Sequence, residues 1–137
     1  IIFRNDPFAN YYIGVFYKDI KLYNKSLKHL ERVTDSFNDY YINLAYVELG
    51  MVCYKLEKYE DSIEYYESYQ PFEPYHGNLS EEIADSYFAL RNYIEALPRY
   101  EGVLKIYRRS YDRQATRKAE AISKKIDFIK NELKLDK

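Results

Sequence analysis

The chain has 137 residues, room for one ordinary domain with a core of its own. Its 47% hydrophobic and 31% charged residues exclude a disordered or membrane-spanning class. Four Gly and four Pro make about 6% of the chain, against roughly 12% in average proteins, which argues against a turn-rich sandwich or barrel and for long helices. A net charge of −1 makes no global case for nucleic acid or a membrane surface, and a single Cys excludes internal disulfides and a cysteine-built zinc site.

The opening Ile1-Ile2-Phe3-Arg4 shows neither a Met nor a cationic-then-apolar leader. It reads as the start of a segment cut from a longer protein, with the cytoplasm slightly favoured as its compartment. From there the chain repeats. Ile13-Gly14-x-x-Tyr17 and Leu49-Gly50-x-x-Cys53 lie 36 residues apart, and each is followed by a Tyr (Tyr23, Tyr59), a small residue (Ser26, Ser62) and a large apolar one (Leu30, Tyr66). A third copy follows 34 residues on: Ile83-Ala84-x-x-Tyr87, Tyr93, Ala96 and Tyr100. Each copy predicts two helices joined by a tight turn, at residues 20–23, 56–59 and 90–93. The small residues let the paired helices approach, and Tyr17, Tyr87, Leu30, Tyr66 and Tyr100 are expected to fill the space between them. Pro71, Pro74 and Gly77 break the helix after the second copy, and Pro98 falls early in the last repeat helix, where its cost is least.

These residues resemble the tetratricopeptide repeat, W-x2-L-G-x2-Y followed by A-x3-F and P. The second copy matches best, with Tyr46 for the Trp, Leu49-Gly50, Ser62, Tyr66 and Pro74, although Cys53 replaces its Tyr and bulky Tyr69 stands where a second Ala is usual. The first copy has Asn10 for the Trp and Asn38 for the Pro; the third has Ser80 and Arg108 at those positions. The resemblance implies an all-α, right-handed αα-superhelix. Residues 1–7 would be the tail of a preceding repeat or a linker. Three helix pairs would occupy residues 8–108, at about 8–40, 41–76 and 77–108, and a C-terminal amphipathic helix would occupy 109–137. In that last segment apolar or small residues recur at Tyr111, Ala115, Ala119, Ile122, Ile126, Ile129 and Leu133. The pattern fits a long capping helix; the competing reading is a coiled-coil seam, for which fewer than three heptads and two alanines make a poor case.

Chemistry is sparse. No glycine-rich phosphate loop, HExxH, CxxC or nucleophile elbow occurs, so neither an enzyme nor a cofactor site is expected. His29 and His76 read as solvated side chains and Cys53 as a small buried apolar group. Residues 57–82 carry eight acids against one Lys, whereas residues 105–137 carry eleven Lys or Arg against five acids. The basic end, with Arg108, Arg109, Arg113, Arg117 and Lys118, could meet an acidic protein, RNA or a membrane surface. Too few aromatic rings interleave it to favour nucleic acid over a solvated face.

The resemblance directs attention instead to the concave face lined by the first helix of each repeat. It implies a groove of Tyr11, Val15 and Lys18 from the first copy, Leu44, Val47, Met51, Tyr54 and Lys55 from the second, and Glu81, Asp85 and Phe88 from the third. Such a groove, apolar and aromatic first and acidic last, suits a partner helix or extended peptide. The rival expectation is an architectural segment that forms homo-oligomers through the C-terminal helix or braces a larger assembly such as a bacterial envelope complex. Repeats of this type that grip the C-terminal carboxylate of heat-shock chaperones use Lys, Asn and Arg where this chain has Tyr11, Val15, Glu48, Asn78 and Glu82, so that role is not expected.

Overall fold

The structure, a computed structural model, describes residues 4–69 and 77–134, with residues 77–79 described by their backbone alone. The proline-rich connection Pro71–Pro74 and His76 lie outside the described residues. All regular structure among those described is α-helical: α1 (Pro7–Asp19), α2 (Tyr23–Thr34), α3 (Asp39–Lys55), α4 (Tyr59–Ser68), α5 (Gly77–Ala89), α6 (Tyr93–Arg108) and α7 (Arg113–Leu133). The chain is all-α. It divides into two compact units, Ile1–Pro74 with α1–α4 and Tyr75–Lys137 with α5–α7.

Three helix pairs share one local geometry. α1/α2, α3/α4 and α5/α6 are each joined by three residues, with the middle one (Lys21, Glu57, Arg91) in the left-handed region at φ 64°, 59° and 59°. The hydrogen bonds repeat with it. Lys21 N donates to Lys18 O at 2.9 Å and Leu22 N to Tyr17 O at 2.8 Å; Glu57 and Lys58 donate likewise to Tyr54 and Cys53, and Arg91 and Asn92 to Phe88 and Tyr87. Two bonds of this kind satisfy the carbonyls that a helix end leaves open. Glycine is the usual occupant of such a turn, and none of the three is glycine, which hides the turns from a search for breakers.

Inside each pair the small residues do what their spacing predicts. A Cβ on Gly14 would come within 2.6 Å of Leu30, and one on Gly50 would overlap the Tyr66 ring. Ser26 Oγ donates to Gly14 O at 2.7 Å and Ser62 Oγ to Gly50 O at 2.7 Å, while the third copy closes on two buried alanines, Ala84 and Ala96. The hydroxyl ties are buried, so each adds about 1 kcal/mol and fixes the register of the two helices.

Each unit has a core. In the first, Leu30 and Val33 of α2 form one buried cluster with Ala45, Leu49 and Val52 of α3. In the second, Tyr100, Val103 and Leu104 of α6 pack with Ala119, Ile122, Ile126 and Ile129 of α7. The α7 stripe is therefore spent within its own unit, as a cap uses it, and those residues offer no seam to a second coiled-coil strand. Four expectations need correction. Tyr111 lies outside the helix and fully exposed, because Asp112 caps α7 by accepting from Gln114 N at 3.2 Å. Tyr17 and Tyr87 are only half-buried: Tyr17 lies beside His29 with Lys25 over its ring, and Arg99 covers the Tyr87 ring at 4.6 Å. His29 is not simply solvated, since its Nδ1 lies 3.0 Å from Asn10 Oδ1. Pro98 stands at the sixth residue of α6, past the first turn, so it removes a helical hydrogen bond instead of falling where a proline costs least.

Candidate partner-binding face

The expected groove residues of the first two copies lie on one face of the first unit, along α1 and α3. Tyr11, Val15, Lys18, Leu44, Val47, Met51 and Tyr54 are half-buried and Lys55 is exposed. Lys18 of α1 reaches across to α3, where its ammonium pairs with Glu48 and lies 3.8 Å from Met51 Sδ. The one cation among the expected groove residues of the first copy is thus neutralised by Glu48, which is not among them. Beyond that pair, Tyr54 meets Tyr59 edge-on at 5.9 Å.

The other end of the face is aromatic, to an extent that the repeat pattern does not signal. Tyr11 is one of five rings: Phe8 and Tyr12 stand 4.8 Å apart, Tyr11 lies 5.7 Å from Tyr41, Phe8 5.8 Å from Tyr41, and Tyr40 5.2 Å from Tyr41. Tyr11 and Tyr41 are half-buried, while Phe8, Tyr12 and Tyr40 remain 54%, 52% and 61% exposed. Burial, with Glu48 nearby, pushes the Tyr11 hydroxyl up to about 12, so it stays a neutral donor at any physiological pH. Register alone points only to position 11; the sequence signal for its neighbours is the density of five Phe or Tyr on one short helix, at positions 8, 11, 12, 16 and 17.

Asn10 underlies this end. Buried at the position where the repeat pattern has Trp, it donates from Nδ2 to Arg4 O at 2.7 Å and Asp6 O at 3.0 Å. Its Oδ1 must then accept, which assigns the His29 proton to Nδ1. Asp6 also caps α1 by accepting from Phe8 N at 3.2 Å. A polar knot thus takes the place of a large ring and fixes the start of α1 together with its aromatic residues.

In the second unit the three expected groove residues are already engaged by this chain. Asp85 accepts from Tyr100 Oη and from Lys125 Nζ, the latter at 2.7 Å. Glu81 accepts from Tyr107 Oη, and the Phe88 ring packs 5.6 Å from Tyr93 and 5.7 Å from Phe128. Helix α7 supplies Lys125 and Phe128, so the acidic and aromatic character read at the third copy is turned inward. Cys53 is buried and its thiol pushed up to about 11, chiefly by that burial, which makes it inert. Among the described residues, no three His, Cys, Asp or Glu side chains gather to hold a metal ion, and no helix is long and apolar enough to cross a membrane. No protein-family model and no curated protein matches the chain.

Proposed function

We propose that this chain is a non-catalytic protein-interaction module of tetratricopeptide type, and that it binds a partner peptide or helix on the α1/α3 face of its first unit. A cofactor has no part in this reading, and right-handed superhelical stacking of the pairs belongs to it. The observation that carries it is the cluster of exposed Phe8, Tyr12 and Tyr40 around half-buried Tyr11 and Tyr41. Rigid aromatic groups offer large contact area at little entropic cost, and they dominate the energetics of protein interfaces. The Lys18–Glu48 pair in the middle of the face offers one donor and one acceptor for register. In the second unit, Lys125 and Phe128 occupy the corresponding residues, so a ligand there would have to displace α7.

The test is retrieval of partners from native extract by the whole chain, beside Val47→Glu/Met51→Glu and Tyr12→Ala/Tyr40→Ala variants whose helicity is checked by circular dichroism. Loss of the same partner from both variants supports the reading. An identical catch from all three proteins overturns it.

A further inference from the structure

The corner between α6 and α7 is strongly basic. From position 105 to 118 stand Lys105, Arg108, Arg109, Arg113, Arg117 and Lys118 against one acid, Asp112. That acid is spent locally, since its carboxylate accepts from Gln114 N at 3.2 Å and caps α7. Arg108 ends α6, Arg109 caps it, Arg113 opens α7 and Arg117 follows one turn later. All four are exposed. Lys18, Arg99 and Lys125 elsewhere pair with Glu48, Glu95 and Asp85. Among the described residues no carboxylate pairs with any of the four corner arginines, and Arg108 donates to a hydroxyl instead, Ser123 Oγ at 3.4 Å.

A ring stands in the middle of this charge. The apolar periodicity assigns Tyr111 to the stripe of α7, but the structure sets it in the link between Arg109 and Arg113, fully exposed. Hydrogen bonds on both sides hold the link: Ser110 N donates to Tyr107 O at 3.2 Å, and Asp112 N to Ser110 Oγ at 3.3 Å. Tyr107 is different, being half-buried with Lys118 over its ring at 5.4 Å. Tyr111 thus offers a flat apolar surface to solvent, on a fixed backbone, with guanidinium groups before and after it.

The kind of base and its neighbours decide which anion fits. Lysine supplies most of this chain's positive charge, 13 Lys against 8 Arg, yet four of those arginines lie within residues 108–117. A guanidinium forks onto two phosphate oxygens and stacks on flat rings, where an ammonium acts as a point charge. An acyl layer would want apolar neighbours, and Tyr111 has Ser110, Asp112, Gln114 and Thr116. An acidic peptide would use the forks and leave the ring idle. A single strand uses both, its phosphates on the arginines and an unstacked base on the ring. We infer that the α6–α7 corner binds single-stranded nucleic acid, with Arg108, Arg109, Arg113 and Arg117 on phosphates and Tyr111 stacked on a base. The inference does not rest on the α1/α3 face, which belongs to the other unit.

The probes are fluorescein-labelled oligouridylate and oligothymidylate of about 12 nucleotides, within the span of a small single-strand site. Anisotropy titration with the whole chain should show saturable binding of either. With four phosphate contacts, affinity should fall about 50-fold between about 50 and 200 mM salt. Arg108→Gln/Arg109→Gln should weaken binding about tenfold or more at the lower salt and reduce that fall to about sevenfold. Tyr111→Ala should weaken binding about fivefold or more and leave the salt dependence as it was, the mark of a stacking contact. Lys25→Gln/Lys28→Gln, which removes two exposed bases of α2, should change nothing. All these side chains are exposed, so the circular dichroism spectrum should stay that of the native chain. Absence of binding at about 50 mM salt overturns the proposal. So does binding indifferent to Tyr111→Ala, or weakened equally by Lys25→Gln/Lys28→Gln. Tighter binding of phosphatidylserine vesicles or of polyglutamate, lost with the same arginines, also overturns it and assigns the corner to a membrane surface or an acidic protein.

Discussion

At the residue scale, the three turns hold a side chain in a conformation that costs an ordinary residue about 1–2 kcal/mol. Lys21, Glu57 and Arg91 accept it because the two turn hydrogen bonds and the helix packing fix the backbone on either side. Glu57→Gly should therefore stabilise the fold by about 0.5–1 kcal/mol after the glycine's extra unfolded-state entropy is subtracted, read as a higher urea midpoint. Gly50→Ala should do the reverse. Alanine is the better helix former by about 1 kcal/mol, but its Cβ overlaps the Tyr66 ring, and overpacking of this kind costs about 1–3 kcal/mol. A net loss is expected, and a gain would mean that Tyr66 moves freely. His29 gives the chain a pH response. Its folded pKa is depressed, chiefly by burial and then by Arg32 and Lys28, so the unfolded chain takes up its proton first as pH falls. Stability should be full above the unfolded value of 6.5 and should decline as pH falls through the folded one. Urea melts between pH 7.5 and 5 should show that decline, reduced in His29→Gln.

At the scale of the element, helix pairs and their turns were legible because they depend on spacing alone. Gly14, Gly50 and Ala84 mark the crossing points, and the chain cannot place large residues there without parting the helices. What spacing could not show was the substitution of one kind of contact for another. Asn10 stands in a ring's place with three hydrogen bonds, and no pattern of apolar residues reports a buried amide. Likewise Asp85 and Phe88 have the right register for a groove, but whether α7 reaches them depends on Lys125 and Phe128, 40 residues further along. The start of α7 shows the same limit, since the periodicity continues back to Tyr111 whereas the Asp112 cap ends the helix before it. Caps can also be traded between copies. Positions 22, 58 and 92 are equivalent, and among them only Asn92 caps its helix, accepting from Glu95 N at 3.4 Å. Lys58→Asn should stabilise α4 by about 0.5–1 kcal/mol, read as a higher melting temperature.

At the scale of the whole molecule, each unit closes its own core, and in the second unit the closure depends on α7. Ile129 is fully buried, so Ile129→Ala should cost about 2–5 kcal/mol. A chain ended after Arg109 would leave Tyr100, Val103 and Leu104 uncovered. It should lose more helix by circular dichroism than the 21 residues of α7 account for, because α5 and α6 would loosen with it. Ile126→Lys belongs with these changes: it places a charge inside the cluster, and its effect would be unfolding of α7 rather than separation of subunits. Charge is arranged on the same scale, with acids gathered at the second copy and bases toward the end, yet the groups that approach aromatic rings, Lys25, Arg99, Lys118 and Lys125, spread along both units.

The brevity of the three turns has a kinetic consequence. A three-residue link brings neighbouring helices together with little loop-closure entropy to overcome, so most native contacts join residues close in sequence. Chains of that kind reach their native state in microseconds to milliseconds, and each pair can assemble as soon as it is made. During synthesis the first unit would be complete before α7 exists, whereas the second must wait for the last helix to emerge. For that interval the α6 surface that later receives Ile122 and Ile126 is open to whatever else is at hand, which makes the gap between the emergence of α6 and that of α7 a window for aggregation.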